Sequence, residues 1–503
     1  MKQINRRSFL KSSLLGAATV SFSARSWSQV QGASETIRVA TVGFGGRGGD
    51  HIKGMLALKE KRVKMVALCD VDQKVLGNGV ESFNKRGEVV DGYVDIRRVL
   101  DRKDIDAITV ATPNHWHSLA TIWAVQAGKD VYVEKPVSHN VWEGRQMVLA
   151  ARKYNKIVQT GTQSRSSNAI KEAVEWVRAG NLGRILIARG LCYKPRGSIG
   201  KTEGAQAVPD HINYDLWCGP APLELPRRNN PRFGPIHYDW HWFWAYGCGD
   251  LGNQGIHEMD RARWFLGESE LSPRVFSVGG RLGYEDDAET PNTQFVFHDY
   301  AKAPLIFEVR GLPEKYGSRN MDSFRHPVAG VWKGNDGKET RASVAVVIHC
   351  EGGYVINPSY SSVIAFDKDG KEIKSWKDSA DRHYENFIHA CRTRKHTDLN
   401  ADILEGHLSS ALCHTGNVSY RLGIKRSGGE ARERLQANSA ALETFDRMVE
   451  HLAANGVDLD QTKLTFGDFL TMDPKAERFT NSREGDALLT RHYRRPYVVP
   501  EKV

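Results

Sequence analysis

Short apolar runs rich in β-branched residues punctuate the first third of the chain, at 37–42, 63–69, 107–111, 131–133 and 158–160. Near-continuous apolar runs of this length read as strands buried on both faces. The spacers between the first strands and around the fourth carry helical patterns, at about 51–61 and from 115 to Gly128. Strands alternating with helices predict a parallel, doubly wound α/β sheet. After Gly161 the pattern changes. A helix is expected at 168–179, an alternating strand at 184–193, further strands at 344–350 and 353–366, and a hairpin turn at 367–370. Helices are expected at 384–392, 402–420 and 439–455.

Three loops at carboxyl ends of the early strands carry the chemistry, and such edges are where ligands bind in open α/β sheets. The first strand runs into Gly43-Phe44-Gly45-Gly46-Arg47-Gly48, a G-x-G-x-x-G turn. Its glycines permit a tight turn, close approach of a pyrophosphate, and packing of helix on strand. The second strand ends in Asp70, 22 positions past Gly48, where an acid is expected to bind the adenosine ribose. A carboxylate there repels a 2′-phosphate and favours NAD, while Arg47 and Lys74 leave NADP open. The fourth strand enters Glu134-Lys135-Pro136 with no turn between. Lys135 is thus held on stiff backbone, where it reads either as a salt-bridged lysine or as a proton-transfer group with a lowered pKa.

The G-F-G-G-R-G turn, the A-T-P-N-H-W-H segment at 111–117 and the A-G-K-D-V-Y-V-E-K-P segment at 127–136 resemble the Gfo/Idh/MocA oxidoreductases. The likeness continues through 161–166, 215–222, 247–257 and 420–423. It implies a Rossmann domain at 36–160, then an α+β domain at 161–430 with a large open, mainly antiparallel sheet, leaving 431–503 as a C-terminal extension. It also implies an NAD(P)-dependent enzyme acting on a CH–OH group of a sugar, glycoside or cyclitol. Cofactor contacts are then expected from Gly43, Phe44, Gly45, Gly46, Arg47, Gly48, Asp70, Thr112, Asn114, His117, Glu134 and Lys135. The catalytic candidates are Lys135 and His257, with Asn253 at the position where the family carries an aspartate. That replacement matters because an amide orients a hydroxyl but takes up no proton. Asp250 is expected to cap one helix running to Leu266, with Asn253, His257 and Asp260 on one face.

The segment 194–246 is rich in glycine, proline, asparagine and aromatic residues. Trp240, His241 and Trp242 suit a pyranose site, though such rings also serve to cover a sheet edge. Arg165, Tyr193 and Asp260 complete the expected substrate contacts. No His, Asp or Cys spacing matches a metal site, and the seven cysteines form no C-x-x-C pair.

Composition adds a location. Asn5-Arg6-Arg7-Ser8-Phe9-Leu10-Lys11 precedes an uncharged stretch at 12–24, which resembles a twin-arginine export signal over residues 1–30. Five of the 70 basic residues and no acid fall there, so half of the +10 net charge belongs to that segment. The remaining basic residues are scattered, which argues against nucleic acid. No run is long enough for a stable membrane insertion. A periplasmic enzyme cannot draw on a soluble NAD pool, so its cofactor is expected to be tightly held and regenerated in place. The runner-up reading is an NAD-dependent glycoside hydrolase or lyase working by oxidation, elimination and re-reduction. A third is a cofactor-binding protein without catalysis. The resemblance also implies a homo-oligomer interface on the exposed face of the large sheet.

Overall fold

The computed structural model describes residues 36–379 and 382–503, so the twin-arginine segment lies outside the described residues. Six parallel strands form the first sheet: β1 (Ile37–Val42), β2 (Val63–Cys69), β3 (Asp91–Tyr93), β4 (Ala107–Val110), β5 (Asp130–Val133) and β6 (Val158–Thr160). Their order is β3-β2-β1-β4-β5-β6. The chain order reverses at β1, and the crevice above β1 and β4 is the topological switch point where a ligand is expected. Every residue of β4 and β5 is buried, which explains their unbroken apolar character. Helices α1 (Gly48–Leu56) and α2 (Asn114–Gln126) start at that crevice, directly after β1 and β4.

Among the described residues the second sheet has 12 strands. Its central part runs through β7 (Ile185–Tyr193), β8 (Arg274–Gly280), β9 (Thr293–His298) and β10 (Leu305–Arg310), continued by β13 (Val344–Cys350), β14 (Gly353–Asn357) and β15 (Ser362–Asp367). Two-residue strands β11 (Trp332–Lys333) and β12 (Glu339–Thr340) form a separate ribbon. Neighbours are antiparallel except β7 and β10, which pair in parallel. Alternation divides each strand between two cores. On β7, Ala188 and Cys192 join the core facing the Rossmann half, while Leu191 and Tyr193 face away into a second core with Phe324 and Trp332.

The expected single helix from Asp250 to Leu266 is two helices, α3 (Gly249–Asn253) and α4 (Gly255–Leu266), joined at Gln254. Asp250 does not cap it. Its carboxylate instead takes two hydrogen bonds from Arg196, at 3.0 and 2.7 Å. Gly267 ends the helix as expected, in the left-handed conformation at φ 78°.

The stretch after residue 430 packs on the sheet. Helices α5 (Gly428–Leu435) and α6 (Ser439–Ala454) cover Phe276, Val278, Phe297 and Ile306 on the outer face. Residues Leu464–Phe466 and Leu470–Asp473 add strands beside β8. The final residues return to the Rossmann half. There Arg494 bonds Asp215 and the Gly219 carbonyl, and the Tyr497 ring meets Trp116. Among the described residues no helix is long and apolar enough to cross a membrane.

Candidate active site

A cavity of about 570 Å³ lies between the first sheet, helix α4 and the 194–246 segment. One end is built by the glycine turn. Gly43 has φ +74°, and a Cβ there would lie 2.8 Å from the Thr112 nitrogen. A Cβ on Gly48 would meet the Gly43 carbonyl oxygen at 2.0 Å, so backbone packing itself demands glycine. Gly46 differs, because no atom of the described residues lies within 4 Å of its Cβ direction. That open space at the start of α1 is where a pyrophosphate would sit against backbone N–H groups. Asp70 accepts from the Phe44 and Asp72 nitrogens at 2.9 and 3.0 Å, which fixes its carboxylate beside the turn. Burial pushes its pKa up, against those two hydrogen bonds.

Three buried polar atoms on residues that line this cavity have no hydrogen-bond partner among the described residues: Thr112 Oγ1, Asn114 Oδ1 and His257 Nδ1. Buried polar groups are ordinarily paired, so a ligand that bonds them fits the site. Their positions, the glycine cradle and Asp70 match what a dinucleotide requires.

Lys135 and Glu134 occupy the middle. The Glu134 carboxylate accepts from Arg47 Nε at 3.2 Å and the Lys135 backbone nitrogen at 3.2 Å, and His51 Nε2 lies at 3.0 Å. Burial alone would raise its pKa, but the His51 hydrogen bond and the charges of Lys135 and Arg47 hold it well below the usual carboxylate range. Glu134 is therefore an anchor for the glycine turn as well as a neighbour of Lys135. Arg47 faces Glu134 rather than Asp70, which takes it away from any 2′-phosphate position.

Lys135 Nζ donates to the Asn253 main-chain oxygen at 2.9 Å. Burial pulls the Lys135 pKa down. The Glu134 charge opposes that shift, and those of Arg47 and Lys194 reinforce it. The departure from the family's aspartate at 253 thus matters less than its chemistry suggests, since the backbone of that residue holds the lysine. His257 is buried and lies 5.0 Å from the Tyr360 ring. Burial and the Lys135 charge keep it well below its ordinary pKa, hence neutral. His117 lines the cavity with its ring fixed between two carbonyls, Pro136 at 2.6 Å and Thr112 at 2.7 Å. Burial again lowers its pKa, and a neutral ring donates to only one of these. Its role is to tie the β4 and β5 loops together.

Four expected substrate contacts lie elsewhere. Tyr193 sits on the far face of β7, with its hydroxyl donating to Glu308 at 2.7 Å. Arg165 and Asp260 form a buried bidentate pair, at 2.8 and 2.9 Å, braced by Ser409. Trp242 is buried beneath the Arg196 guanidinium at 5.1 Å. Trp240 and His241 do line the cavity, stacked on each other at 3.7 Å. Residues with no clear signal in the sequence also line it: Gln163, Lys194, Phe233, Tyr238, Gln254 and Tyr360.

The 194–246 segment lines one side of the cavity. It docks on the loop after β2 through Gln73 N to His211 O at 2.9 Å and Asn213 N to Val71 O at 3.0 Å. His237 Nε2 lies 3.0 Å from Asp72 Oδ2, and its ring stands over Gly45. Trp116 Nε1 donates to the Leu216 and Trp217 carbonyls. Tyr238, at φ 68° and ψ −60°, centres a γ-turn closed by Asp239 N to His237 O at 3.0 Å. This hand of γ-turn is rare and strained, and strain of this kind gathers at functional sites.

Residues 37–162 match the Gfo/Idh/MocA oxidoreductase family model for the NAD-binding Rossmann fold, and residues 176–305 match its C-terminal alpha/beta domain. A glycosyl hydrolase family 109 protein of Shewanella pealeana is 28% identical over 176 residues, covering 31% of this chain and 38% of that protein. An inositol 2-dehydrogenase of Salmonella paratyphi B is 26% identical over 182 residues, covering 36% and 53%. The matches thus span about half or less of these curated relatives. A solved levoglucosan dehydrogenase in complex with NADH shares the fold, with a TM-score of 0.55, 17% identity, and coverage of 75% of this chain and 95% of that one.

Proposed function

We propose, from the premise that this chain belongs to the Gfo/Idh/MocA oxidoreductase family, that it moves hydride between a carbinol of a sugar, glycoside or cyclitol and a tightly held nicotinamide cofactor. The observation that carries this reading is Lys135 in the same cavity as the glycine turn, with neutral His257 beside it. When bound, the nicotinamide supplies the hydride acceptor. Lys135 takes the hydroxyl proton. Its amine reaches the neutral form more readily because burial lowers its pKa, and its bond to Asn253 fixes its direction. His257, neutral and lining the same cavity, is the partner assigned to a second substrate oxygen. General-base help of this kind contributes about 10²–10⁴-fold.

Tight retention is supported by the 194–246 segment, which lines the cavity and docks on the loop after β2. We place the enzyme in the periplasm on the twin-arginine segment at 1–30. The protein isolated from such a compartment should release a dinucleotide on denaturation and form reduced cofactor with a sugar or cyclitol. Turnover with no member of a broad sugar, glycoside and cyclitol panel would defeat the reading. Cleavage of a glycoside with no net redox change would replace it with the hydrolytic one, which the family 109 relative brings to mind.

A further inference from the structure

Among the described residues, the charge at the substrate end of the cavity is not balanced. Four basic side chains reach the cavity: Arg47, Lys135, Lys194 and Arg196. Arg47 is paired with Glu134 and Asp50, and Arg196 with Asp250. Among the described residues, Lys135 and Lys194 hydrogen-bond only neutral oxygens, the Asn253 carbonyl and Gln254 Oε1 at 2.8 Å. Glu258 stands behind Gln254, but it is fully buried, donated to by Arg261, and already committed to that guanidinium. The remaining acids of the cavity, Asp70 and Asp95, are engaged at the opposite end by backbone N–H groups and by Arg97. The histidines nearby, His241 and His257, are held neutral by burial, His241 pushed down to about 3.

Lys194 stands one residue past β7, on the cavity side of the sheet, with its main-chain nitrogen fixed to the Arg310 carbonyl at 3.0 Å. The glycine turn, where a pyrophosphate sits, belongs to the first sheet. Lys194 comes instead from the second sheet, with Gln254 and Tyr360, which meet each other through a 3.2 Å hydrogen bond. It is half-buried, and a half-buried ammonium with only an amide partner retains donors and charge for an anion. An oxidised nicotinamide adds a further positive charge to the same space, so a neutral sugar would leave the site with an unbalanced excess.

We propose that Lys194 is a specificity-determining residue, and that the substrate is a carbohydrate carrying a carboxylate, which the ammonium receives beside Gln254. This rests on the carbohydrate oxidoreductase reading above and names its substrate class. A charge-assisted hydrogen bond in such a site contributes enough to change affinity about 10- to 100-fold.

The test measures binding rather than turnover. Protein loaded with NAD is titrated calorimetrically with methyl glycosides of hexuronic acids and of the neutral hexoses of the same configuration, in the gluco, galacto and manno series. In at least one series the acid should bind about tenfold or more tightly than its neutral partner. Lys194→Met should erase that difference without weakening the neutral sugar, Lys194→Arg should restore part of it, and added salt should reduce it. Acid and neutral sugars binding alike in every series, or no acid binding, overturns the proposal. So does loss of NAD rather than of the acid sugar in Lys194→Met, since that would place the lysine on the cofactor. Thermal unfolding of each variant checks the fold. Selective acid binding without turnover would count against the oxidoreductase reading alone.

Discussion

The two ends of the cavity are built by opposite means. At the dinucleotide end, Gly43–Gly48, Asp70, Thr112–His117 and Glu134–Lys135 come from successive loops of one parallel sheet. Each loop follows a buried strand, and its residues have little choice of place. At the substrate end, Lys194, Phe233, Tyr238, His241, Gln254, His257 and Tyr360 come from three separate stretches of the second half, joined by tertiary packing. The first end is a backbone device, and the second is a side-chain device. Substitutions should separate them, with backbone changes at one end removing cofactor and side-chain changes at the other altering rate or selectivity.

The largest effect should come where the two ends meet. Lys135→Met should lower kcat about 10²–10⁴-fold while bound dinucleotide, quantified after denaturation, stays near one per chain. Loss of the cofactor together with the rate would show that Lys135 serves the first end rather than the chemistry. Next is Gly46→Ala. Its Cβ points into open space in the protein itself, so thermal stability should hold while dinucleotide content falls by roughly tenfold or more, a loss of a little over 1 kcal/mol. Gly48→Ala, whose Cβ would strike the Gly43 carbonyl, should lose stability as well. Equal behaviour of the two would erase the distinction between ligand space and packing space.

That difference in construction also explains what the sequence revealed. The Rossmann half was legible because its strands are buried on both faces and its glycines have distinct steric duties. The neighbours of Glu134 were not, since Arg47 and His51 reach it across two loops. At the substrate end, Tyr193 was the expected contact and Lys194 lines the cavity. Adjacent positions on a strand face opposite ways, so an error of one residue changes the face. Helix periodicity put Asn253, His257 and Asp260 together; Asn253 and His257 do line the cavity across the break at Gln254, while Asp260 is paired with Arg165 outside it. Tyr360 lies in the turn between β14 and β15, and nothing local marks it for the cavity.

A smaller effect tests the docking of the 194–246 segment. His237 meets an Asp72 carboxylate that also caps the helix Gln73–Asn84. Burial would raise the Asp72 pKa, yet the His237 hydrogen bond and the cap keep it low. His237→Ala removes one of several docking contacts of the 194–246 segment. Dinucleotide release, followed by dilution into excess competitor, should quicken about fivefold, the value of one hydrogen bond near 1 kcal/mol. An unchanged release rate would mean that the segment does not gate the cofactor.

The smallest effect joins the two ends through Lys135. A base works only when deprotonated, so oxidation should fall as pH drops through the Lys135 pKa, and burial puts that limb below the ordinary lysine range. Lys194 adds a positive charge that favours the neutral amine. Lys194→Met should therefore move the limb to higher pH, lowering the rate at a fixed pH on it by roughly two- to threefold. The measurement uses a neutral sugar at saturation, so that loss of carboxylate binding does not enter. Arg47 exerts the same influence from the other end, but its removal also frees Glu134, whose unbalanced charge would push the Lys135 pKa further up. Arg47→Met should thus shift the limb more than Lys194→Met. The reverse order, or a shift to lower pH in either variant, would mean that the two ends do not act on Lys135 through their charges.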